Sequence, residues 1–233
     1  MATDVVAIHQ PNFLPWLGWF DKLARADAMV LLDDVQFPKK GGTPINRVRM
    51  LIGGRPSWVT VPIDRSYHGV RTIAEMRIDQ SRGWRETTLR SVTQSYSRAP
   101  FFESVMPDLT RVIETDTDSL AELNMAGIRW LAEGLGLDTG RLVLSSGLDA
   151  EGTGTDRLIE LTRAVGGSAY LAGGGAGGYQ EDESFGRAGV KLLSQDFEPR
   201  PYPQGTDEHQ PGLSTVDAVM HVGFEGAAAL LSP

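Results

Sequence analysis

The sequence contains no cysteine. That absence removes disulfides, thiolate-bound metals and a cysteine nucleophile, and with the nucleophile goes a thioester formed on the protein itself. Histidine is scarce too, with four in 233 residues. No two of them have metal-ligand spacing, and neither an HExxH nor an EF-hand pattern occurs. A GxSxG nucleophile elbow is missing. No apolar run approaches the ~20 residues that span a bilayer, and the first residues lack the charged n-region and cleavage pattern of a signal peptide. Positive charge is in deficit: 22 Lys and Arg stand against 30 Asp and Glu, a net charge of -8. So acidic a chain has no general affinity for nucleic acid or an anionic membrane, since both require a basic surface. The expectation is a cytoplasmic protein acting on small molecules, with no nucleic-acid and no membrane partner; nothing in the composition names a cofactor or a metal.

What is present is ordinary for a globular chain: 41% hydrophobic and 22% charged residues, enough for one sizeable core. Residues 5–8 read as a buried strand and 17–26 as a helix, with Leu17, Phe20, Leu23 and Ala24 at helical spacing. Residues 29–32 return as a strand, giving a β-loop-α-β unit that favours a parallel sheet. The stretch "RVRMLIGGRPSWVTVPI" predicts a hairpin turning at Gly53-Gly54, and "TIAEMRI" a third strand beside it. Helices follow over 84–96, 101–114 and 118–133, the last capped at Asp118 or Ser119. "RLVLSS", "SAYLAGGG" and "VKLLSQDF" read as strands. "DRLIELTRAVG" reads as a helix capped at Thr155 or Asp156, and "LSTVDAVMHVG" as one capped at Ser214 and closed by Gly223. Strands alternating with helices in this rhythm predict an α/β fold, a mainly parallel sheet flanked by helices, with an antiparallel insert around residues 47–78.

Ligands of such sheets bind beyond the carboxyl ends of the strands, and three loops converge there: 9–16, 33–47 and 173–179. His9 ends the first strand, and a neutral imidazole at that place takes a proton from an attacking amine or hydroxyl; a histidine there also serves simply to bond a backbone carbonyl. Gln10 and Asn12 offer amide groups, Pro11 and Pro15 stiffen the loop, and Trp16 and Trp19 suit core or an aromatic wall. Asp33 and Asp34 are adjacent, so a strand turns them to opposite faces. One of them orients His9, positions an amine or helps hold Mg²⁺, or else both cap the next turn. "QFPKKGGTPINR" brings Lys39, Lys40, Asn46 and Arg47, a cationic stretch suited to a carboxylate or phosphate, with Arg47 the bidentate partner. "AYLAGGGAGGYQ" formally contains GxGxxG at Gly173, Gly175 and Gly178. The acidic "YQEDESF" behind it opposes a dinucleotide and leaves a tight loop whose amides at Gly173 to Gly175 suit an oxyanion.

Taken together, "IHQPNFLPWLGWFDKLARAD", "LLDDVQFPKK" and "INR", continued by "TDRLIELTRAVGGSAYLAGG" and the late "YPQ…PGLSTVDAVMHVG", resemble the WbqC-like family over nearly the whole chain. The resemblance implies one domain over residues 1–233. It also implies a place in O-antigen, polysaccharide or specialised-metabolite (natural-product) biosynthesis, where aminoacyl transfer, glycine onto a sugar, has been proposed for some members. The motif residues it carries over are His9, Gln10, Asn12, Pro15, Trp16, Gly18, Asp33, Asp34, Gln36, Lys39, Asn46, Arg47, Tyr170, Gly173 and Gln204. At His221 the sequence departs from the family, which more often has asparagine. A thinner likeness, strand then His/Pro-rich loop then helix, links the start of the chain to HIGH-type nucleotidylyltransferases, although only one histidine is present.

The expected activity is acyl or aminoacyl transfer to an amine or hydroxyl. His9 acts as base with Asp33 or Asp34 as its partner, and the substrate is held by Gln10, Asn12, Trp16, Gln36, Lys39, Lys40, Asn46, Arg47, Tyr170, Gly173, Gly174 and Gln204. The donor is a thioester of coenzyme A or of an acyl carrier protein, or an acyl adenylate. Two other readings stand beside it: a non-catalytic protein presenting an amino acid or carrier arm to a partner, and an ATP-dependent nucleotidylyltransferase-like enzyme.

Overall fold

The computed structural model describes residues 4–39, 41–173 and 179–231. In chain order the elements are β1 (Val5–His9), α1 (Leu17–Arg25), β2 (Ala28–Leu31), β3 (Arg47–Ile52), β4 (Arg55–Thr60), α2 (Trp84–Tyr96), α3 (Phe102–Ile113), α4 (Leu120–Gly134), β5 (Leu142–Leu144), α5 (Gly154–Ala164), β6 (Ala169–Ala172), α6 (Tyr179–Arg187), β7 (Lys191–Ser194) and α7 (Thr215–Ala228). Five strands form a parallel sheet in the order β5-β2-β1-β6-β7, and β3 pairs with β4 in a separate antiparallel hairpin. This is the expected α/β class.

The short strands are apolar on both sides because both faces of the sheet are covered. The period of two sends Val6, Ile8, Val30, Tyr170 and Ala172 to one face, against Ile159 and Leu161 of α5 and Phe185 of α6. Ala7, Met29, Leu31 and Leu171 go to the other, into a larger core shared with α1, α2, α3, α4, α7 and the hairpin. His9 follows the alternation of Ala7 and meets α1. Within α1, seven consecutive residues from Leu17 to Leu23 are buried, so this helix lies inside the molecule. Gly18 allows it, since the Trp16 indole occupies the space of any side chain at that position.

Several predicted elements change on folding. "TIAEMRI" is no strand: Thr72, Arg77 and Ile78 make only isolated bridges, and Glu75 bonds back to the Thr72 amide at 2.8 Å. Ile73 and Met76 are both buried, and a spacing of three needs a turn. The antiparallel insert is therefore two-stranded. The strand in "RLVLSS" stops at Leu144, and residues 145–147 form a 3-10 turn. Helix α5 starts from Thr153, which makes no side-chain cap bond, while Asp156 sits in the first turn, where a carboxylate favours the helix dipole. The acidic stretch after the glycines, read only as unfavourable to a dinucleotide, forms α6. Among the described residues no helix is long and apolar enough to cross a membrane.

Candidate functional site

An open parallel sheet opens a crevice where the strand order reverses. From β1 the chain passes to β2 with β5 beyond it, whereas β6 and β7 lie on the other side of β1. The reversal therefore lies between β1 and β6, whose ends are His9 and Ala172. His9 Nδ1 stands 3.0 Å from the Gln10 carbonyl oxygen. A carbonyl only accepts, so Nδ1 carries the hydrogen and the lone pair is left on Nε2. The same carbonyl accepts the Trp19 indole N–H at 3.2 Å, and that indole meets the imidazole edge-on at 6.1 Å between centroids. Burial, and next the Lys22 ammonium, push His9 down to about 4 against the opposing effect of the Gln10 bond. The strand-end histidine thus bonds a carbonyl and, among the described residues, keeps Nε2 without a hydrogen bond.

Lys22 reaches the same edge from α1. It is 5% exposed and has no hydrogen bond or ion pair among the described residues. Burial pushes it down to about 8. A Cβ placed on Gly173 would lie 3.2 Å from its Nζ and 4.0 Å from Gln195 Oε1, so the ammonium and the amide oxygen both border that glycine. Gln195 spends its amide nitrogen on the Gly18 carbonyl at 2.6 Å and on Asp21 at 2.9 Å. Arg25 is turned to the Gln195 carbonyl and, at 3.6 Å, to Asp21.

Asp33 and Asp34 lie elsewhere. Both follow the last residue of β2, beyond the alternation of the strand, and both carboxylates converge on Ser145. Asp33 accepts from the Ser145 hydroxyl at 3.1 Å and from the Ser146 amide at 2.9 Å and hydroxyl at 2.6 Å. Asp34 accepts from the Ser145 hydroxyl at 2.6 Å and pairs with Arg157. Among the described residues neither has a hydrogen bond to His9. They close the turn after β5 and tie it to α5, a turn distant in sequence and not the one that follows their own strand.

A third locus lies by the hairpin. Arg47 stacks over Trp58, 4.1 Å from the ring centroid, and Gly42 leaves room for its guanidinium. Arg47 Nε is buried without a hydrogen bond, as is Asn12 Oδ1. Both residues line a pocket of about 120 Å³ walled by Pro15, Trp16 and Trp58. On its other side Arg47 lines a cleft of about 390 Å³ with Asn46, Arg65, Arg82 and Asp79, the last two paired at 3.1 Å. Trp58 is 52% exposed, a large aromatic surface left at the rim. Residues 36–85 hold ten of the 22 Lys and Arg but three of the 30 Asp and Glu, a local balance of +7 in a chain of -8.

The remaining expected site residues are dispersed. Asn46 is buried and holds the hairpin base through Val61 and Thr43. Gln36 is exposed and bridges Thr72. The Lys39 side chain is exposed, and its carbonyl accepts from Arg65 at 2.7 Å. Tyr170 stacks on Phe185 at 5.4 Å, on the sheet face away from His9. Gln204 is bound to Gln210 and to the buried Asp217. Lys40 and Gly174 lie outside the described residues. Among the described residues no group of three or more His, Cys, Asp or Glu could hold a metal ion.

The structure thus joins His9, Gln10 and Gly173 at the sheet edge and Asn12, Trp16 and Arg47 at the hairpin, and sets Asp33, Asp34, Tyr170 and Gln204 apart. It adds Lys22 and Gln195, which no sequence motif marks. The available signal was Lys22 three residues after Trp19, inside an apolar helix stripe, although lysines on such stripes ordinarily run their stem outward to water. Gln195 carried no signal, because it meets Asp21 only through the sheet.

Among known proteins, the model of the WbqC-like protein family matches residues 10–229. An uncharacterised protein of Mycobacterium tuberculosis is 28% identical over 222 residues, which cover 94% of each chain. No solved structure matches.

Proposed function

The chain belongs to the WbqC-like protein family, and on that premise we propose that it transfers an acyl or aminoacyl group from an activated donor to an amine or hydroxyl. The observation that carries this reading is the state of His9. Its Nδ1–H is committed to the Gln10 carbonyl, so Nε2 offers a lone pair at the reversal point of the sheet. An acceptor N–H or O–H bonds to Nε2. As the acceptor attacks the acyl carbon its proton passes to Nε2, the bond to the leaving group breaks, and the imidazolium returns the proton to that group. A pKa of about 4 keeps the ring neutral above about pH 5 and makes the imidazolium a ready proton donor. With no cysteine in the chain, acceptor attacks donor directly. The cleft lined by Arg47, Arg65 and Arg82, in which Asp79 pairs with Arg82 at 3.1 Å and Arg65 bonds the Lys39 and Gly41 carbonyls, supports a donor that carries phosphate, such as coenzyme A or the pantetheine arm of an acyl carrier protein, chiefly through Arg47.

The test supplies acetyl-coenzyme A or acetyl-pantetheine with a panel of amines and hydroxy compounds and reads the free thiol. Acceptor-dependent release that His9→Ala lowers roughly 10²–10⁴-fold is the expected result. Unchanged release in that variant removes His9 from the reaction. Pyrophosphate release from ATP in place of thiol release moves the reading to adenylation, and turnover that needs an added partner moves it to an accessory binding protein.

A further inference from the structure

Lys22 has no task in that transfer, and its position is costly: a buried ammonium without a partner among the described residues loses hydration and gains no pairing from them. The local carboxylate, Asp21, is engaged by Gln195 and Arg25. An anion entering from the crevice between β1 and β6 supplies the pairing that the fold withholds. We propose that Lys22 binds the carboxylate of the acceptor, and that the acceptor is a small amino- or hydroxy-carboxylate.

Three features select this class. There is one ammonium, and the nearby Arg25 is turned to the Gln195 carbonyl and Asp21, so the site balances one negative charge and would leave a phosphate dianion half compensated. Among the described side chains at this edge, His9 Nε2 and Gln195 Oε1 are acceptors, so they match a ligand that also presents an N–H or O–H. Gly173 puts no side chain against Nζ, where a Cβ would stand 3.2 Å away. A ligand fixed by its carboxylate on Lys22 turns its amine or hydroxyl toward His9, which is the pre-orientation a transfer requires. The word acceptor rests on the transferase reading; the binding of a carboxylate does not.

Calorimetric titration of the full chain with glycine, L-alanine, glycolate and L-lactate tests the assignment, with glycinamide and inorganic phosphate as controls. Wild type, Lys22→Met, Lys22→Arg, Gly173→Ala and His9→Gln are compared after circular dichroism shows each folded. At least one carboxylate should bind wild type, glycinamide should not, Lys22→Met and Gly173→Ala should weaken binding tenfold or more, and His9→Gln, which removes the Nε2 acceptor but not the ammonium, should weaken it less than Lys22→Met does. Binding without turnover in wild type would sink the transferase reading and leave this one standing. Undiminished binding in Lys22→Met, equal binding of glycinamide, binding of phosphate alone, or silence across the panel overturns it. So does an adduct on Lys22 after borohydride treatment with pyruvate, which would make the lysine a nucleophile.

Discussion

At the scale of single residues, the site depends on two groups that burial holds away from their ordinary ionisation, and Lys22 is the more telling. In an unfolded chain a lysine titrates near ~10.4, and in the folded protein Lys22 is pushed down to about 8. Between those values the unfolded state binds the extra proton, so stability rises with pH; below 8 both states are charged and the whole burial penalty is present. Among the described residues its ionisable neighbours are Asp21 and Arg25 on α1, paired with each other, and His9 at the end of β1, neutral in this range. Lys22→Met keeps the volume and removes the charge. It should therefore stabilise the protein at pH 7 by up to ~3 kcal/mol, the equivalent of the pKa displacement, with the gain vanishing between pH 8 and about 10.4. Urea unfolding at pH 7 and pH 10 reads both the size and the trend. A variant less stable than wild type at pH 7 would mean that the ammonium has a partner in the folded state. A substitution that raises stability while abolishing ligand binding marks a residue kept for function.

At the scale of elements, the same logic gives Gln204, an expected site residue, a buried structural partner. Asp217, in the first turn of α7, is fully buried and accepts from the Tyr96 hydroxyl at 2.6 Å, the Tyr202 hydroxyl at 2.7 Å and Gln204 at 3.2 Å. Tyr96 in turn accepts from the Leu51 amide at 2.9 Å. One carboxylate therefore joins α7 to α2, to the hairpin and to the segment after β7; burial, and next the Asp217 charge, push both phenols up. Tyr96→Phe leaves an oxygen of Asp217 and the Leu51 amide unsatisfied inside the protein, and should cost ~1–3 kcal/mol in urea unfolding. A cost near zero would show that water replaces the hydroxyl. Gln204 stood out in the sequence as a polar residue in a late loop, but nothing local announced Asp217 as its partner. What was legible at this scale was periodicity: β1, α1, β2, the hairpin and α2, α3 and α4 follow their apolar spacing to within a few residues. Gly223 was expected to close α7, and it does interrupt it at φ 69, ψ 175, after which the chain resumes its helix. "TIAEMRI" failed because three buried residues in seven fit either a strand or a turn, and only the contacts of Ile73 and Met76 with the core decide between them.

At the scale of the molecule, the sequence foretold that loops would meet at the carboxyl edge of a parallel sheet, because topology follows from the order of strands and helices. It could not say which loops share a site. Their place at a strand end suggests one of Asp33 and Asp34 as a partner of His9, yet Ser145, 112 residues from Asp33 and 111 from Asp34, bonds both. The distribution of charge is likewise invisible in the total of -8: a lobe of +7 over residues 36–85 sits on a remainder of -15. The two views predict opposite responses to salt. If the whole-molecule charge governs, an anionic donor is repelled and added salt tightens its binding. If the Arg47, Arg65 and Arg82 lobe governs, added salt weakens it, since screening shortens from about 10 Å at 0.1 M to 3 Å at 1 M and separates the arginines from the phosphates. Coenzyme A should therefore bind on the order of tenfold more weakly at 500 mM than at 50 mM sodium chloride. Arg47→Ala and Arg65→Ala should each bind more weakly at low salt and with a shallower dependence. Dephospho-coenzyme A, with fewer charges, should lie between coenzyme A and pantetheine. Binding that strengthens with salt would remove the hairpin cleft from donor recognition and leave the donor to the sheet edge, where the charge of Lys22 is the one the acceptor's carboxylate requires.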